Sequence, residues 1–181
     1  MKRLLFSIAL ALLASLFYND RSFAADRVAL VIGNGVFEKV SPLQNPSRDS
    51  VDIARSLERL GFQVRLLNNA SALDMRKALV EFGRKSDGSD IALVFFAGHG
   101  MEVGGENWLI PVDAELRSDT DVESEAVSLR SVNSQVAKAR QLGLIILDAC
   151  RNNPFASKMK RRFLPAPSNA GWLAPNRPIT S

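Results

Sequence analysis

Four consecutive aliphatic residues, Leu144-Ile145-Ile146-Leu147, run into Asp148-Ala149-Cys150 and stop at Asn152-Asn153-Pro154. An unbroken apolar run this short suits a strand buried on both faces, as in a parallel sheet covered by helices. The signal recurs in Arg27-Val28-Ala29-Leu30-Val31-Ile32 and in Ile91-Ala92-Leu93-Val94-Phe95-Phe96, and Phe62-Gln63-Val64-Arg65-Leu66-Leu67, closed by Asn68-Asn69, is a further strand. Helical spacing fills the intervals. Asn45-Pro46 predicts a helix start with asparagine as cap, and Val51, Ala54, Leu57 and Leu60 follow before Gly61 ends it. Ser71 and Asp74 have capping-box spacing ahead of Met75, Ala78, Leu79 and Phe82. Val132, Val136 and Ala139 predict a third helix over 131–140. Strands alternating with helices predict an α/β fold: a mostly parallel sheet with right-handed crossovers and helices on both faces.

The turns narrow the function. Gly33-Asn34-Gly35 ends the first strand but lacks the third glycine and the immediate helix of a dinucleotide loop. Met101 to Pro111 predicts a small hairpin with Gly104-Gly105 at its tip. Residues 113–125 hold six acids against Arg117, which predicts a solvated loop; no calcium-loop spacing is present. No metal or cofactor is expected.

Three segments organise the chain. Lys2 and Arg3, the apolar stretch Leu4 to Phe17, and Ser22-Phe23-Ala24 make residues 1–24 a signal peptide. Residues 25–155 form the folded domain, and 156–181 a tail broken by Pro165, Pro167, Pro175 and Pro178. Export to a periplasmic or extracellular space follows, where a single cysteine cannot form an internal disulfide. The net charge of +4 conceals an asymmetry: residues 25–150 carry 14 Lys/Arg against 18 Asp/Glu, while 151–181 carry six basic residues and no acid. A basic tail can meet anionic partners, but export and the lack of interleaved aromatics exclude nucleic acid.

Cys150 is the only cysteine and His99 the only histidine, 51 positions apart, each expected at a strand end. In open α/β sheets those ends are where chemistry is placed. A thiol needs an adjacent base to raise its thiolate fraction, and an imidazole can then protonate the leaving amine. Gly98 and Gly100 flank the imidazole without side chains, leaving room for a substrate backbone; the N–H groups of Gly100 and Cys150 are candidates to hold an oxyanion.

Five stretches together resemble the caspase-like peptidases, and more closely their metacaspase-like branch in bacteria. They are residues 27–34, 43–49, Phe95-Phe96-Ala97-Gly98-His99-Gly100, Asn107-Trp108-Leu109-Ile110-Pro111-Val112-Asp113, and 146–155. The resemblance covers about 130 residues in the family order. It implies a caspase-like three-layer fold and a cysteine endopeptidase with His99 and Cys150 as catalytic dyad. It also implies that Asp148 and Asp49 line a substrate pocket favouring Arg or Lys; Asp49 alternatively serves as a first-turn acid on its helix. Arg48 departs from the family's asparagine and would partly neutralise that pocket. The family's last two strands are also missing: 26 residues follow Phe155 and none reads as a strand. The expected partners are therefore protein or peptide substrates with basic residues, and a second copy or another chain that completes the sheet. The competing reading is an exported, non-catalytic binding module that kept the dyad without a full cleft.

Overall fold

The computed structural model describes residues 25–150 and Phe155. Its centre is a parallel sheet in the order β2 (Gln63–Asn68), β1 (Arg27–Gly33), β3 (Ile91–Val103), β6 (Leu142–Cys150). The aliphatic strands earn their place by burying both faces. In β1, Val28, Leu30 and Ile32 face one way, into a core shared with Met75, Ala78, Leu79 and Phe82 of α2 (Ala72–Ser86) and with Val132 and Val136 of α4 (Leu129–Val136). Ala29 and Val31 face the other way and pack with Ala54 and Leu57 of α1 (Pro46–Arg59). Helices on both faces of a parallel sheet make the predicted three-layer α/β architecture.

Local chemistry sets the helix ends. The Ser71 hydroxyl accepts from the Asp74 N–H at 3.1 Å, as its spacing implies. Asn45 occupies the cap position of α1, yet its side chain makes no capping bond; Pro46 removes one N–H that would need a partner. The third helix starts earlier than expected, at Leu129, because Ser128 caps it by accepting from the Ser131 N–H at 3.1 Å.

Three expectations are corrected. First, β3 does not end at His99. It runs on to Val103, because residues 100–103 pair antiparallel with β4 (Glu106–Leu109) across a turn where Gly104 and Gly105 take φ of 62° and 78°. Those left-handed angles suit glycine. Second, the acidic stretch is structured. Asp121 accepts from the N–H groups of Arg117 and Ser118, opening a short 3₁₀ turn (Asp119–Asp121) and α3 (Val122–Glu125), which lead into β5 (Val127–Ser128) beside β4. Ala114, Leu116 and Val122 are buried there, so the segment is amphipathic rather than a solvated loop.

Third, β6 is not buried on both faces. Ile145, Leu147 and Ala149 pack onto the core under α2 and α4, but Leu144 and Ile146 are 38% and 41% exposed. The α1 layer covers β1, β2 and β3 and stops short of β6, so this side of the strand has no cover among the described residues. β6 is also paired along one edge only there, with β3. The tail 156–181 and residues 1–24 lie outside the described residues. No helix among the described residues is long and apolar enough to cross a membrane.

A second, smaller apolar cluster lies beyond the carboxyl end of the sheet. Phe37, Met101, Ile110, Leu116 and Val122 form it together with Phe155, which is 1% exposed. Burying one such aromatic side chain contributes roughly 1.5–3 kcal/mol.

Candidate active site

His99 stands where β3 changes partners. Up to His99 the strand is flanked by the parallel sheet; from Gly100 on it belongs to the antiparallel ribbon. The parallel register sets His99 directly beside Cys150, the last residue of β6. Neighbouring strands lie about 4.8 Å apart, so the two backbones are adjacent across 51 residues of sequence. Of all positions in the sheet, the unique histidine and the unique cysteine are register partners.

The imidazole is 7% exposed and held from the loop that follows β1. Its Nε2 lies 3.2 Å from the Ser41 carbonyl oxygen. A carbonyl can only accept, so Nε2 carries the proton and Nδ1 of the neutral ring carries the lone pair. Nδ1 is buried and has no hydrogen-bond partner among the described residues. The Phe37 ring packs against the imidazole with centroids 4.5 Å apart and planes tilted by 47°.

That loop is fixed by Asn34 and Asn69. Asn34 is fully buried; its amide donates to the Ile110 carbonyl at 3.1 Å and its side-chain oxygen accepts from the Ala70 N–H at 2.9 Å. Its own N–H donates to the Ala97 carbonyl at 2.8 Å, two residues before His99. Asn69, with φ of 52°, accepts from the N–H groups of Gly35 and Val36 at 2.9 and 3.0 Å. Leu43 closes the loop by donating to the Gly35 carbonyl at 2.8 Å.

Gly98 differs in role from the expectation. A Cβ on Gly98 would meet the Phe96 ring at 2.9 Å and the Asn34 carbonyl oxygen at 3.2 Å. The space beside Gly98 is therefore filled by the protein's own packing and is not room for a substrate. Gly100 is buried and paired with Leu109 in the ribbon. A Cβ on Gly33 would collide with Ser50 and the Pro46 carbonyl, so its bareness lets α1 close onto β1.

Asp148 pairs in register with Ala97, one of the residues facing α1, and its side is exposed. Asp49 lies in the first turn of α1. Both carboxylates thus lie on the α1 side of the sheet near the strands' carboxyl ends, with no direct contact between them. Arg48 reaches Asp49 at 3.6 Å with its side chain 73% exposed, a solvent-screened pair that neutralises little.

Residues 26–171 match the family described as Caspase domain. The chain belongs to the caspase family. Among curated proteins, this caspase domain is 31% identical over 134 residues to mucosa-associated lymphoid tissue lymphoma translocation protein 1 of Homo sapiens, a match covering 73% of the chain and 16% of that protein. The Mus musculus homolog is 31% identical over 130 residues, 71% of this chain and 15% of the homolog. Caspase-1 of Mus musculus is 33% identical over 98 residues, 52% of this chain and 24% of caspase-1. The caspase domain thus spans less than a fifth of the first two relatives. Family membership supports a cysteine peptidase.

Sequence reading alone did not single out Phe37, Ser41 or Asn34. Ser41 acts through its backbone carbonyl, which no side-chain pattern reveals. Asn34 looked like part of a turn, and only its complete burial marks it as structural.

Proposed function

We propose that this caspase domain is a cysteine endopeptidase that cleaves after Arg or Lys, with Cys150 as nucleophile and His99 as base. The observation that carries the reading is the register pairing of the two residues, joined to an imidazole whose Nε2 is bonded to the Ser41 carbonyl and whose Nδ1 has no partner among the described residues. In this reading Nδ1 takes the thiol proton and the thiolate adds to the scissile carbonyl. The N–H groups of Gly100 and Cys150 stabilise the tetrahedral oxyanion. As it collapses, the C–N bond breaks and the imidazolium returns its proton to the leaving amine. Water, deprotonated by the same nitrogen, then hydrolyses the thioester and frees the thiol. Asp148 and Asp49 on one side of the sheet support the basic preference, since carboxylates bind a guanidinium through paired charge-assisted hydrogen bonds. The sequence likeness to the metacaspase-like branch points the same way.

Residues 1–24 act in this proposal as an export signal, placing the enzyme in the periplasm or outside the cell. A second copy of the chain covers the edge of β6 that has no strand partner among the described residues. The exposed Leu144 and Ile146 also favour a second reading, a binding module that uses the open side of β6 without catalysis. Fluorogenic Arg and Lys peptides separate the two. Cys150→Ala and His99→Ala should each lower turnover by about 10³-fold or more while circular dichroism stays unchanged, because residues acting as one unit lose most of the rate singly. Hydrolysis that survives in Cys150→Ala refutes the peptidase assignment, and a folded wild-type chain without hydrolysis favours the binding module.

A further inference from the structure

We propose that Phe37 and Phe155 are positioning residues, tying the imidazole and the nucleophile's end of β6 to one apolar cluster. The proposal rests on the dyad reading and concerns what keeps the two groups at a working separation.

The imidazole is held on two sides by one loop, through the Ser41 carbonyl and the Phe37 ring. Phe37 is itself 8% exposed and packs in the smaller cluster with Met101, Ile110 and Leu116. Phe155 occupies that same cluster. It lies five positions after Cys150, a reach of at most about 17 Å even when extended. The chain therefore leaves β6 at the nucleophile and is buried again, within a short span, on the cluster that carries the histidine's support.

The need for such an anchor follows from the sheet. Among the described residues β6 is laddered to β3 along one edge, and Leu144 and Ile146 have no cover on the α1 side. A strand end with few buried contacts opens at low free-energy cost. Cys150 sits at that end. The ladder to β3 restrains it from one direction, and the buried Phe155 limits from beyond how far it can move. Phe37 does the corresponding work for the imidazole, whose ring could otherwise turn about its bond to the Ser41 carbonyl.

The test compares Phe37→Leu and Phe155→Leu with Val122→Ala in the full chain. Val122 is fully buried in the same cluster but makes no ring contact with His99 and lies outside the nucleophile segment. All three variants weaken the cluster, and thermal melts measure by how much. Because Cys150 is the only thiol, its alkylation by iodoacetamide reports the nucleophile alone. Both phenylalanine variants should lose about ten- to a hundredfold in kcat on an Arg peptide with KM nearly unchanged, the effect of misplacing reacting groups by about 1 Å. Alkylation should slow in parallel, Phe37→Tyr should restore both readouts, and Val122→Ala should keep them at a comparable melting-point loss. Should Phe155→Leu prove unfolded, Phe155→Met replaces it. Phenylalanine variants with wild-type kcat and alkylation overturn the proposal, as does a Val122→Ala protein that loses as much. In those cases an inactive Cys150→Ala leaves the dyad standing, whereas an active one removes the dyad itself.

Discussion

Replacing Asn34 with alanine should unfasten the site from below. The amide is fully buried and satisfies two backbone groups, the Ala70 N–H at 2.9 Å and the Ile110 carbonyl at 3.1 Å. Alanine leaves both without a partner in a space too closed for bulk water. A buried donor or acceptor left unsatisfied costs about 1–3 kcal/mol, so the pair should cost about 2–5 kcal/mol once partial relaxation is allowed. For a chain of this size each kcal/mol lowers the melting temperature by about 2–4 °C, giving a drop of the order of 10 °C. The damage should also reach catalysis. Ile110 donates to the His99 carbonyl at 3.0 Å, and the Asn34 backbone binds Ala97, so the histidine is held from both sides through this asparagine. Urea denaturation followed by circular dichroism measures the first effect and peptide hydrolysis the second. Asn34→Asp is an informative companion: it keeps the acceptor for Ala70 but sets a carboxylate oxygen against the Ile110 carbonyl, so it should be no more stable than alanine. A loss below about 1 kcal/mol for Asn34→Ala, with an unchanged denaturant slope, would refute the reasoning, because it would mean these two groups are satisfied without the side chain.

Asp148→Asn should reduce hydrolysis of Arg peptides about tenfold or more, as expected for a hydrogen bond to a charged group worth roughly 1.5–3 kcal/mol; an equal loss on neutral peptides would remove Asp148 from the pocket. The basic run Lys158-Met159-Lys160-Arg161-Arg162 should be cut slowly after Arg161 or Arg162 in the wild-type chain and not in Cys150→Ala; mass spectrometry of the incubated proteins decides, and identical cleavage in both assigns it to another protease. Asp90 accepts from the Asp26 N–H, Gln141 and Arg140, and these bonds, the Asp26 one foremost, hold its carboxyl below the usual aspartate value. A carboxyl depressed in the folded state stabilises above its unfolded pKa, and that contribution is lost as pH falls through the folded value. Asp90→Asn should therefore melt lower at pH 7 and show a weaker acid dependence; melts whose pH dependence matches wild type would show that the carboxylate is immaterial.

Much of this could be read from residue order, and the misses have physical causes. The aliphatic runs at 28–32 and 91–96 are buried on both faces because helices cover both. The run at 144–147 has the same composition and a different fate: burial depends on what is packed above, which a strand's own residues do not encode. Ala97-Gly98-His99-Gly100 looks like a turn by glycine content, but the pairing of 100–103 with β4 straightens it. Asp121 in an acid-rich stretch suggests only solvation until its bonds to the Arg117 and Ser118 N–H groups are seen. The proposed dyad is legible because each residue is unique and each run points to it. Its support is not, since Ser41 contributes a backbone oxygen and Phe37 an ordinary apolar ring.

The exchange of partners along β3 has a bearing on how such a domain can diversify. Residues before His99 answer to the parallel sheet, where nearly every side chain is enclosed and substitution is constrained. Residues after it answer to a short ribbon with an exposed glycine turn. The histidine is thus the joint between an enclosed half of the strand and a half that is still buried at Met101 but opens toward the glycine turn. Changes in the ribbon can alter the orientation and surroundings of the imidazole while the sheet that carries the cysteine is left as it was, so reactivity and stability can drift apart under selection.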